Sequence, residues 1–108
     1  MLVISPSHSK TKAYRAVYLV HVRGGLKPVK TFHFGSKGAK TFFTMQPGEA
    51  ANRRRAAWIA RHRVNEDWKK IGPAALSRYF LWEVAGGDPQ AAAAAVSRAL
   101  GVEAHFRA

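Results

Sequence analysis

Cysteine is absent from the 108 residues, which excludes disulfides and thiolate metal sites. Acidic side chains are scarce: six Asp and Glu face eighteen Lys and Arg, for a formal net charge of +12. None of the six precedes Glu49. Long apolar runs are also missing, and no segment approaches the ~20 residues that a helical membrane span needs. The opening MLVISPSHSK lacks the apolar centre of a signal peptide. These absences point to an intracellular protein without a membrane span, or one packaged from an intracellular pool. No cofactor is called for. The histidines His8, His21, His33 and His105 show no metal-ligand spacing, although His21 and His33 could meet on paired strands.

What is present is basic charge. Between Met1 and Gly48 lie eight cations and no acid; between Glu49 and Glu83 lie eight cations and four acids. With an isoelectric point near 11.0, self-repulsion opposes the folded state unless a polyanion relieves it. Nucleic acid is the commonest such partner, DNA ahead of RNA here, and acidic proteins of an assembly are the alternative. The length suits one domain. Nineteen alanines bury little each, so the core must lean on aromatics and on Val, Leu and Ile.

The coarse reading is α+β. Residues 1–12 read as a flexible basic arm, with 13–108 as a single domain. AYRAVYLVHVR (13–23) and VKTFHFG (29–35) alternate in the manner of strands, around a turn at Gly24–Pro28, and form an antiparallel hairpin. Ala39–Thr44 reads as a short third strand. Three helices follow: one from Pro47-Gly48-Glu49 to about Val64; PAALSRYFLW, with Ala75, Leu76, Tyr79, Phe80 and Trp82 on one arc; and one capped by Asp88, opened by Pro89 and stopped at Gly101. The hairpin is expected to pack on the three helices.

Candidate anion contacts are Lys10 and Lys12 in the arm, Lys37 and Lys40 around the glycine turn FGSKGAK, and Arg53, Arg54, Arg55, Arg61 and Arg63 on the first helix. Guanidinium forks match phosphate oxygens in pairs, and six acids are too few to neutralise so many cations internally. The glycine turn lacks the spacing of a nucleotide-binding loop. Arg61-His62-Arg63-Val64-Asn65-Glu66-Asp67-Trp68 holds the raw material of a hydrolytic site, yet helix capping and ion pairing explain it as well. It is read as structural and the protein as a non-enzyme.

From Phe34 to Trp82 the chain resembles a family of small basic proteins of nucleocytoplasmic large DNA viruses. The shared features are Phe34, Gly35, Lys37, Gly38 and Thr44; then Arg61, His62, Glu66, Asp67 and Trp68; then Ser77, Arg78, Tyr79, Leu81 and Trp82. The sequence departs from that pattern at Lys40–Phe43, where the family carries an aspartate, and at Glu83-Val84-Ala85, where it carries Asn-Lys-Pro. The resemblance implies a viral setting rather than a mechanism. Two roles follow: binding of nucleic-acid backbone without sequence preference, or a structural role in the virion as a minor capsid or assembly protein that holds acidic neighbours. Oligomeric state is left open by the sequence.

Overall fold

The computed structural model describes residues 1–108 and shows an α+β domain. Four strands form one mixed sheet: β1 (Leu2–Pro6), β2 (Lys12–Val22), β3 (Gly25–Ser36) and β4 (Ala104–Phe106), in the order β3-β2-β1-β4. β4 runs parallel to β1, and the other pairings are antiparallel. The helices are α1 (Glu49–His62), α2 (Pro73–Leu76), which widens into a π-helical turn over Ser77–Leu81, and α3 (Pro89–Leu100). No helix is long and apolar enough to cross a membrane.

The segment expected to be a flexible arm is instead the heart of the sheet. Leu2 and Ile4 are fully buried between β2 and β4. The N-terminal ammonium donates to the Leu19 carbonyl at 2.8 Å. The serines and threonine that suggested mobility tie down the following turn: Ser9 N–H donates to Ser7 Oγ, and Thr11 and Lys12 N–H donate to Ser9 Oγ. Polar turn chemistry and disorder share a composition, and three apolar residues at 2–4 are enough for a short central strand.

Register decides which side chains face inward. Tyr14 sits opposite Phe34, Ala16 opposite Phe32 and Ile4, and Tyr18 opposite Leu2. This apolar face is covered by α3 and the π turn. Phe80 anchors the core, with ring centroids 4.9 Å from Tyr14, 5.3 Å from Phe43 and 5.8 Å from Phe34. His33 lies opposite Arg15 and His21 opposite Leu26, so the two histidines do not meet.

Three further expectations are corrected. Ala39–Thr44 forms turns, closed by Thr44 Oγ1, which accepts from Thr41 N–H and donates to the Thr41 carbonyl. Phe42 and Phe43 are buried from this loop and not from a strand. The second helix is α-helical for one turn only. The wider π turn brings Leu81 into the core beside Phe80, and leaves Tyr79 half-buried. β3 begins at Gly25, so the hairpin turn is shorter than expected and Pro28 lies inside a strand. It is tolerated because β3 is an edge strand and Pro28 faces a bulge between Tyr18 and Leu19. The third helix matches its reading: Asp88 accepts from Gln90 and Ala91 N–H, and Gly101 is left-handed at the C-terminus.

Candidate polyanion-binding cleft

α1 carries Arg54, Ala57, Trp58, Arg61 and His62 at i, i+3, i+4, i+7 and i+8, one face of a helix. That face looks across an open cleft of about 780 Å³ at the base of the hairpin (Lys12, His33 to Ser36), the loop Ala39–Thr41 and the start of α2. The cleft therefore gathers Lys12, Lys40, Arg54 and Arg61 from three separate segments. Gly35 shapes its wall: the backbone there has φ +73°, and a Cβ would meet Leu81 Cδ1 at 3.1 Å.

Only Arg53, Arg55 and Arg78 among the eighteen Lys and Arg lie within 4 Å of a carboxylate. The four cleft cations therefore have no internal counter-ion. Glu66 is the single acid lining the cleft, and both its oxygens are engaged. Oε2 accepts from His62 Nδ1 at 2.7 Å, and Oε1 accepts from Trp68 Nε1 at 2.9 Å. The His62 ring stacks on Trp58 at 4.2 Å, and Trp58 stacks in turn on Trp82 at 4.9 Å and Trp68 at 6.0 Å. These flat faces cover one another and fix the end of α1. Asp67 Oδ1 accepts from Lys69 N–H, a capping contact. No three His, Asp or Glu side chains converge as a metal site would require.

The remaining sequence-derived candidates fall elsewhere. Arg55 is withdrawn from the anion-binding set: Nε donates to the Trp82 carbonyl and Nη2 to Glu83 Oε1, both at 2.7 Å. Arg78 completes this cluster, donating to the same Glu83 oxygen at 2.6 Å while lying over the Trp68 and Tyr79 rings. Burial alone would push the Glu83 carboxyl up, and it is the largest single influence. Hydrogen bonds and charge from Arg78 and Arg55 together outweigh it and hold Glu83 below its usual range. Arg53 points outward, 3.7 Å from an equally exposed Glu49. Arg63, Lys10 and Lys37 are exposed outside the cleft. The glycine turn offers no free amide cradle at its centre, since Lys37 N–H donates to Thr11 and Ala39 N–H to Ser36.

Sequence reasoning missed the separation of Arg54 and Arg61 from their neighbours. The seven-residue spacing, with Trp58 and His62 between on the same face, was the available signal. It also missed Thr41, whose buried Oγ1 has no hydrogen-bond partner at the cleft floor. No family model, curated protein or solved structure matches the chain.

Proposed function

We propose that this protein binds the phosphate backbone of nucleic acid without sequence specificity and without catalysis, through the cleft between α1 and the hairpin base. The observation that carries the reading is the convergence of Lys12, Lys40, Arg54 and Arg61 on one concavity whose single acid is already engaged. Cations left without partners at a shared concave surface repel one another, and a polyanion relieves that repulsion while gaining charge-assisted hydrogen bonds.

The non-catalytic part rests on how the His62–Glu66 pair is held. Glu66 is fixed by Trp68 and His62 by Trp58, an arrangement that braces the end of α1. A virion setting rests on the resemblance to small basic proteins of large DNA viruses. Eight of the residues that carry it line the cleft: Phe34, Gly35, Arg61, His62, Glu66, Ser77, Leu81 and Trp82.

The test is a titration of duplex and single-stranded DNA at several salt concentrations. Four cleft contacts on a duplex give a slope of log K against log salt of about −3.6, or roughly a 150-fold loss from 50 to 200 mM. A flat response, or no binding at the lower salt, overturns the reading. Copurification of capsid proteins with no nucleic acid would favour the assembly role.

A further inference from the structure

β2 and β3 continue together well past the rest of the sheet. β1 pairs with β2 only as far as Tyr18, and beyond the bulge at Tyr18/Leu19 the two strands have no other neighbour. From His21 to Thr31 every residue is exposed, so neither face of this ribbon is covered by a helix. It projects along the long axis of a molecule measuring 48 × 27 × 23 Å. Its outer part carries Arg23 at the turn, Lys27 on β3 and Lys30 at the root, with no acid, and exposes Val22 at 46%, Leu26 at 44% and Val29 at 51%.

Such a ribbon cannot be explained by the core, because it adds nothing to it. Large apolar side chains exposed on a cationic two-stranded element mark a contact surface. Like charge opposes pairing of two such tips, whereas a polyanion with apolar groups on its floor matches both features. Dimensions narrow the choice. Two strands about 4.8 Å apart, with side chains on both faces, make a bar about 10 Å across. The major groove of B-form DNA is about 12 Å wide and admits a β-ribbon, whereas the minor groove, about 6 Å wide, does not without distortion. In A-form RNA the major groove is deep and narrow. From Leu19 to Arg23 the ribbon reaches about 13 Å, more than the groove's depth of about 8.5 Å.

We propose that residues 20–29 form an arm that lies in the major groove of duplex DNA. Arg23, Lys27 and Lys30 contact the flanking phosphates, and Leu26 and Val22 pack on base edges, thymine methyls among them. This rests on the nucleic-acid reading above, and adds to it a preference for duplex over single strand that the cleft alone does not create.

The triple variant Arg23→Ala, Lys27→Ala, Lys30→Ala tests it, because all three side chains are exposed and the fold does not depend on them. Wild type and variant are titrated against a duplex of about two turns and against one of its strands, and guanine N7 methylation by dimethyl sulfate is read on the duplex. Three lost phosphate contacts flatten the duplex salt slope by about 2.7, while single-strand binding changes far less. N7 protection by wild type and its loss in the variant is the expected result. Duplex binding with unprotected N7, or an unchanged slope, overturns the arm while leaving the cleft reading intact. No binding of wild type to either nucleic acid overturns both. A wild-type dimer in sedimentation that the variant dissolves, with N7 unprotected, assigns the ribbon to self-association instead and overturns the proposal.

Discussion

Arg54, Arg55 and Arg61 share one helix but answer to different forces. Arg55 is half-buried and serves Trp82 and Glu83, whereas Arg54 and Arg61 face the cleft without a counter-ion. Replacing Arg54 and Arg61 with Ala is expected to leave stability within about 0.5 kcal/mol, as for other exposed sites. The same pair should flatten the salt dependence of DNA binding by about 2. Arg55→Ala should do the opposite, lowering stability by about 2 kcal/mol in a chemical-denaturation curve while leaving that slope in place. Glu83 makes stability depend on pH. Its carboxyl ionises at lower pH in the folded chain than in the unfolded one, so its contribution is present above the unfolded value of about 4.3 and is lost as pH falls through the folded value. Glu83→Gln should therefore melt lower than wild type near neutrality, and the two melting temperatures should converge in acid. Thr41 is a cost at neutral pH. Its buried hydroxyl lacks a partner, so Thr41→Val should raise stability by about 1 kcal/mol, and a lower melting temperature would show that the hydroxyl is held after all.

At the level of elements, the helical turn from Pro73 into the π segment connects core and cleft. Leu76, Phe80 and Leu81 fill the core, while Pro73, Ala74 and Ser77 line the cleft. The carbonyl of Leu81 accepts from Phe43 N–H, and that of Trp82 accepts from Arg55, so the end of the segment is satisfied from two directions. Phe80→Ala should cost ~3–5 kcal/mol, with a melting temperature at least about 12 °C lower. The apolar arc of this helix was legible in the sequence; its π geometry was not, because one widened turn shifts Tyr79 and Leu81 without changing composition. α3 was legible throughout, since Asp88, Pro89 and Gly101 each act locally. β1 and β4 were missed for the opposite reason. Five and three residues long, they owe their conformation to the neighbours they pair with and carry little pattern of their own. The cleft lay between these cases: its cations were visible as charge, but which of the five arginines faced it depended on packing against Trp82 and Glu83.

Across the whole molecule, internal ion pairs are too few to balance the charge, and the unpaired cations are placed on the cleft and the projecting ribbon rather than spread evenly. Glu66→Gln is expected to lower stability by ~1–2 kcal/mol through the His62 and Trp68 contacts. DNA incubated with magnesium should stay uncleaved by wild type and variant alike, while cleavage by wild type that the variant abolishes would make His62–Glu66 a reaction centre. The sheet has one further consequence, which concerns time. Ile4 sits in register with Phe106, so the central strand lacks one of its two neighbours until nearly the whole chain exists. At synthesis rates of about 5–20 residues per second, β1 waits some seconds with one edge open while the rest emerges. Contacts of such long sequence separation also slow refolding. A nascent or truncated chain lacking residues 104–106 would present β1, with Leu2 and Ile4 on it, as a free edge ready to pair with another chain. The same short strand that closes the native sheet thus determines how long the growing chain remains prone to aggregate.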